Sequence, residues 1–350
     1  MLPYFKLSTF FAPAVYIGIS GNLFAANVSI YNWEAYLSPK IIQLFEEKTG
    51  HTVTQTYFDN DHNIGTLFYS GKSNFFDLIM VQSSRATLFG EGGYLKPVAS
   101  LNLKNLSQLN SRWRNSCGDY SIPYSWGTTG LAYRTSVAKT DITSWEAFFY
   151  PSDEFKEKIV AQTDTTTLTE TALLYLGKNP NTDNLDDLKQ AYTILVNQKP
   201  DILEYKYGIT YVSEFKNKSK MAMTLAFSGD VEEIITQTGQ DDWVYTIPKE
   251  GSMLWVDCLS FPAKKMTTAA TIEFVNFLNT PKIAALNSVD VYITTPNDAA
   301  MALLPKALLE DEELYPESNL IEKLSYPYKT LSDESYKIRQ KMMNSLTLDK

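Results

Sequence analysis

Four short segments hold the residue types with which a protein grips a cation: "NWEAY", "QTDTT", "AFSGD" and "MLWVDCLS". Each sets a carboxylate beside aromatic or hydroxyl side chains. In the last of them Trp255 and Asp257 are two residues apart, so on an extended strand both point to one side. An aspartate on a strand that otherwise reads as core must find a compensating charge or several donors. Flat aromatic walls beside a carboxylate suit an organic ammonium ion, each cation–π contact contributing about 0.5–2 kcal/mol. Any one of these rings is explained by core packing; the set points to binding.

Catalytic chemistry has little material. His51 and His62 are the only histidines, each in a polar, surface-like stretch, and there is no nucleophile elbow, phosphate loop or H-E-x-x-H pair. The stretch "DNDHNIGTLFYS" places Asp59, Asp61 and Asn63 at alternate positions, but Gly65 comes one place late and Ser70 stands where a calcium loop needs glutamate. It reads as a solvated loop, and no metal, cofactor or reaction is expected. A net charge of −9 argues against nucleic acid, which needs a basic face. Cys117 and Cys258 are too few for a structural zinc site. They form either one disulfide, in an oxidising compartment, or two buried thiols, and free thiols are the plainer reading.

The elements that must position these residues follow a regular order. Residues 1–25 carry one lysine and then an uncharged apolar run ending in small residues, the pattern of a secretory signal peptide cleaved after Ala25 or Ala26. Pro13, Gly18 and Gly21 interrupt that run and weigh against a retained anchor. The mature chain is then exported and soluble. "VSIYN" predicts a strand. "SPKIIQLFEEKTG" predicts a helix capped by Ser38, with Pro39 in its first turn and Gly50 ending it. "HTVTQTYF" alternates like a strand, a short helix runs from Ile64 to Tyr69, and "FDLIMV" is a continuous apolar run suited to a strand buried on both faces. This is the α/β pattern of an open, mostly parallel sheet, whose ligands bind outside the carboxyl ends of strands. Trp33 and Tyr36 follow the first strand at that end; Gln82 and Ser84 follow the third. "YSIPYSWGTTGLAYR" lacks helical spacing, and a second α/β unit follows it, returning the chain to the first near Leu254 to Pro262.

The segments "YNWEAYL", "FEEKTGHTV", "FDLIMVQSS", "YSIPYSWGTTGLAYR", "TSWEAFF", "LLYLGKNPNT", "IPKEGSMLWVDCLSFPA" and "TTPNDAA" together resemble, in order, the periplasmic spermidine/putrescine-binding proteins of ABC importers. The likeness covers nearly the whole mature chain. It implies an α/β, two-lobed periplasmic binding protein fold of type II. The lobes are 26–132 plus 258–302 and 133–257 plus 303–350, each a mixed, mostly parallel sheet flanked by helices. They close over a ligand cleft about hinge strands near Leu131 to Tyr133 and Asp257 to Ser260.

The resemblance also implies a site: an extended polyamine with its ammonium groups on carboxylates and its methylenes between aromatic rings. Trp33 and Tyr36 fall on the family's "NW..Y" aromatics, and Trp255 and Asp257 on its "KEG...D" strand. Phe227 and Asp230 fall on "W.GD", with Phe in place of Trp. Asp164 falls on an acidic segment, and Gln82 and Ser84 on polar residues after the third strand. Three positions depart from the pattern: Thr167 stands where a glutamate is usual, Tyr292 is shifted one place early, and Glu34 replaces a small hydroxyl residue. Asp257 and Asp230 are expected to neutralise the ammonium groups, and the acidic run "EDEE" from Glu310 is expected to lie outside the cleft. The implied protein is a periplasmic monomer that serves an inner-membrane ABC permease. Rival readings keep the fold and change the task, to another organic cation, an amino acid, or a secreted sensor or hydrolase.

Overall fold

The computed structural model describes residues 25–58, 62–164, 166–214 and 220–348. The leader, Ala25 aside, and both aspartates of the calcium-like stretch lie outside the described residues. Ten strands organise the fold: β1 (Asn27–Trp33), β2 (Thr52–Phe58), β3 (Leu78–Gln82), β4 (Ser121–Arg134), β5 (Ile159–Ala161), β6 (Ile202–Tyr205), β7 (Met223–Phe227), β8 (Trp243–Thr246), β9 (Ser252–Ser260) and β10 (Ser325–Pro327). Their order is β2-β1-β3-β9-β4-β7-β5-β6, with β10 beside β9 and β8 beside β4. Helices connect the strands in the alternation that the sequence predicts.

The first helix, Pro39–Thr49, shows how local chemistry sets an element. Ser38 Oγ accepts the Lys40 N–H at 3.2 Å, Ile41 and Phe45 bury the apolar stripe, and Gly50 takes φ 74°, where a side chain would be strained. This helix fixes where the chain leaves β1, and hence where Trp33 and Tyr36 stand.

Two strands tie the sheet together. β1–β2, β1–β3, β5–β6, β5–β7 and β9–β10 are parallel pairs, whereas every antiparallel pair involves β4 or β9. The segment read only as non-helical is β4, a 14-residue strand. Residues 121–128 of β4 pair with β9, and from Thr129 onward it pairs with β7 and β8. Pro123, which has no N–H to donate, sits where the β4–β9 register shifts.

The buried apolar residues divide along the same line. One large cluster gathers Ile30, Phe45, Ile79, Leu259 and Phe274; another gathers Leu131, Trp145, Leu173, Met223 and Met342. On β9 membership alternates with the pleat: Leu254 and Val256 join the first cluster, Met253 and Trp255 the second. β9 is therefore shared by both cores, and Asp257 lies on the Trp255 side of it.

Two expectations need correction. Cys117 and Cys258 form a disulfide across 141 residues, joining the end of the helix Ser111–Cys117 to β9 next to Asp257. Cys117 packs in the same cluster as β9's Val256 and Leu259, which brings two distant thiols together in a way that no spacing reveals. His51, read as a surface residue, is only 5% exposed, and its Nδ1 accepts the Ala26 N–H at 3.2 Å.

Candidate functional site

The residues proposed from sequence gather around β9. At the Cα level Gln82, the last residue of β3, pairs with Asp257 of β9, and Asp257 also faces Ser125 of β4. The Tyr36 hydroxyl donates to Asp257 Oδ2 at 2.9 Å. Burial and then the charge of Asp257 push the Tyr36 phenol well above its usual range, so it remains a donor. Tyr124 braces this corner, its hydroxyl donating to the Tyr36 carbonyl at 2.8 Å. Tyr36 is expected to line methylenes, and its hydroxyl in addition orients the carboxylate.

Trp255 follows on the same face. Its indole N–H donates to the Thr128 carbonyl at 3.2 Å, and the ring lies over Gly127, where an added Cβ would come within 2.2 Å of it. Only glycine leaves room for the ring in that orientation. Phe227, at the end of β7, meets Trp255 edge-on with ring centroids 6.4 Å apart and stands 6.1 Å from Tyr207. The Phe227 N–H donates to Asp230 Oδ2 at 2.8 Å, and the Tyr207 hydroxyl donates to Asp230 Oδ1 at 2.6 Å. Burial pushes Asp230 up to about 7 in spite of these two donors.

Asp230 opens the helix Asp230–Thr238, preceded by Gly229 at φ 98°. Glu313 Oε1 accepts the N–H groups of Gly229 and Val231 at 2.7 and 3.4 Å, and burial raises Glu313 to about 8. Tyr292 donates to Asp311, and its carbonyl lies close to where a Gly229 Cβ would be. The acidic run beginning at Glu310 thus packs against the site, contrary to expectation, because it folds back over the start of this helix.

At the helix Thr167–Tyr175, Asp164 Oδ1 accepts the N–H groups of Thr166 and Thr167 at 2.9 and 2.8 Å and both hydroxyls at 2.9 Å. Burial alone would raise Asp164, but these four donors outweigh it and hold the carboxyl below its usual range. The Thr167 hydroxyl also lies 3.4 Å from that of Tyr328.

Three residues fit the group less closely. Trp33 is half-buried with its ring against Phe58, 4.2 Å between centroids, so it packs on the first cluster. Glu34 is exposed in the turn after β1, and Ser84 is turned to Gln82, its hydroxyl donating to Oε1 at 3.0 Å. The residues that the sequence did not reveal are mainly tyrosines and acids from distant segments: Tyr124, Tyr207, Tyr328, Glu170 and Glu313. Tyr124 carried a signal, since it lies in the segment now seen as β4, but nothing local distinguishes Tyr207 or Glu313 from surface residues.

The contacts join these groups into one line of neighbours. It runs from Tyr36 and Asp257, through the Trp255 and Phe227 rings, to Asp230 and Tyr207. Charge, apolar wall and charge alternate along it. Among the described residues no cluster of histidine, cysteine, aspartate and glutamate has the form of a metal site.

Residues 40–323 match the family of bacterial extracellular solute-binding proteins. The chain is similar to the norspermidine sensor of Vibrio cholerae, 29% identical over 324 residues, covering 92% of this chain and 89% of the relative. It is also similar to the putrescine-binding periplasmic protein SpuD of Pseudomonas aeruginosa, 27% identical over 337 residues, covering 91% and 90%. Among solved structures, the spermidine/putrescine ABC transporter substrate-binding protein PotD of Streptococcus pneumoniae superposes with a TM-score of 0.79 at 22% identity, covering 93% of this chain and 99% of that one.

Proposed function

The chain belongs to the bacterial extracellular solute-binding proteins, and from that premise we propose that it captures a polyamine and delivers it to an ABC permease. The observation that carries the ligand class is the line from Asp257 through Trp255 and Phe227 to Asp230. A di- or triamine has the same alternation: ammonium groups, which stay charged at neutral pH because their pKa is near 10, separated by methylenes. Asp257 and Asp230 neutralise the ammonium groups, since a buried charge without a partner is prohibitive. Trp255 and Phe227 cover the methylenes. The names of the polyamine-binding relatives support this reading. Binding, with no reaction, is the whole task.

Capture requires two lobes that move. We assign them to the two large apolar clusters, joined by β4 and β9, with the partner change at Thr129 serving as one hinge. The last crossing is placed at β10 instead of at 303, because Leu304 packs with Ala285 and Ala300, and Ile321 packs with the first cluster. The leader directs the chain to the periplasm, where it acts as a monomer.

A second reading keeps the ligand and changes the receiver. Because one relative is a norspermidine sensor, the loaded protein would report to a membrane receptor instead of feeding a permease. Calorimetry with putrescine, cadaverine, spermidine, norspermidine and spermine, against arginine, lysine and glutamate, tests the shared claim. Binding confined to polyamines supports it; binding confined to an amino acid or an anion overturns it.

A further inference from the structure

Glu170 is a buried ionisable group with an unpartnered oxygen. It is 1% exposed in the helix Thr167–Tyr175, and among the described residues its Oε2 has no hydrogen-bond partner. Arg339 of the helix Asp333–Thr347 is fully buried nearby; two of its nitrogens are engaged, Nη2 by the Pro180 and Thr182 carbonyls and Nε by Ser335 Oγ, while Nη1 has no partner. The two are close enough to influence each other electrostatically, yet they form no ion pair. Leaving two buried charged groups incompletely paired is costly, and each calls for an explanation.

The helix supplies one. Glu170 is three residues beyond Thr167, hence one turn behind it on the same face, and helical side chains lean toward the amino terminus. Its carboxyl is therefore directed toward the end of the helix where Asp164, Thr167 and Tyr328 meet. Its charge is felt at the Tyr328 hydroxyl, as is that of Asp164. Thr167 itself carries no charge, so Glu170 supplies a carboxylate from one turn deeper. Resting on the polyamine reading, we propose that Glu170 is a positioning residue of the cation site, stabilising a ligand ammonium at Asp164 and Thr167 from behind Thr167 and Tyr328.

The groups facing Glu170 are Asp164 from the preceding loop, Arg339 from the C-terminal helix and Tyr328 after β10; Arg339 in turn feels the charge of Asp183. Burial holds Glu170 up to about 8, so near pH 7 it carries a proton. An ammonium arriving in front of it lowers that value, and a proton leaves. A group that merely filled space would release none.

Calorimetry of spermidine binding at pH 7, in two buffers of different ionisation enthalpy, reads both affinity and protons. Glu170→Gln is expected to lose roughly ten- to hundredfold in affinity and to release fewer protons than the parent. Adding Thr167→Glu to that variant should restore most of the affinity, and Glu170→Asp should fall between the two. If the parent binds and both Glu170→Gln and Glu170→Asp bind equally tightly with unchanged proton release, Glu170 has no such role and the polyamine reading stands. If the parent binds no polyamine, both fall.

Discussion

Two helices, Thr167–Tyr175 and Asp230–Thr238, begin in different electrostatic states. At Thr167–Tyr175 a single carboxylate, Asp164, collects four donors from Thr166 and Thr167 and is held below its usual range. At Asp230–Thr238 four donors are shared between two carboxylates: Asp230 takes the Tyr207 hydroxyl and the Phe227 N–H, and Glu313 takes the Gly229 and Val231 N–H groups. Both of these are raised, to about 7 and about 8. Burial is common to the two ends, so it does not decide the outcome. What differs is the number of donors per carboxylate. At the first end Asp164 itself is satisfied while Glu170 behind it is raised; the second end holds two raised carboxyls, which on the proposed reading a cation completes.

The contrast breaks most visibly at the carboxylates of the proposed line. Asp257→Asn keeps shape and removes the charge; breaking one side of a buried pair costs about 3–5 kcal/mol, which is roughly two to three decades of polyamine affinity by calorimetry. Asp230→Asn should cost less, about one to two decades, because Glu313 still stands at the same helix end. It should also raise the melting temperature of the ligand-free protein at pH 8, since it relieves crowding between two acids. Loss of stability there would mean that the second end is as complete as the first.

The pH dependence sharpens the same comparison. A carboxyl whose folded pKa is raised binds protons more tightly folded than unfolded, so its stabilising contribution is present at low pH and lost as pH rises through the folded value. For Asp230 and Glu313 that window runs from about the usual carboxylate range up to about 7 and 8. The ligand-free melting temperature should therefore fall between pH 5 and 8.5. Saturating ligand should flatten the fall, and polyamine affinity should rise over the same range. Asp164 is shifted the other way, so its contribution persists above its unfolded value and disappears only on acidification. The smallest effect is expected at Asp164→Ala, which removes helix-end donors' acceptor and costs about 0.5–2 kcal/mol of stability in chemical denaturation.

Much of this was legible in the residues and some was not. The strand "FDLIMV" and the Ser38-capped helix announce themselves through burial pattern and capping chemistry, which are local. Trp255 and Asp257 were readable because strand parity is local too. The role of β4 was not, because a strand that changes partners at Thr129 is defined by β7, β8 and β9, whose paired residues all lie at least 90 positions away along the chain. The same holds for Glu313 and Tyr207, whose neighbours at Asp230 come from separate segments. The acidic run at Glu310 misled for a related reason: four acids in a row look solvated until the chain places a helix amino terminus beneath them.

The central claim is that one ligand lies along the line from Asp257 to Asp230, and a structure of the protein with spermidine bound tests it most directly. The account predicts ammonium nitrogens within about 3 Å of Asp257 and Asp230, with the methylenes against the Trp255 and Phe227 rings. A ligand bound elsewhere, or spermidine making no contact with either carboxylate, would contradict it.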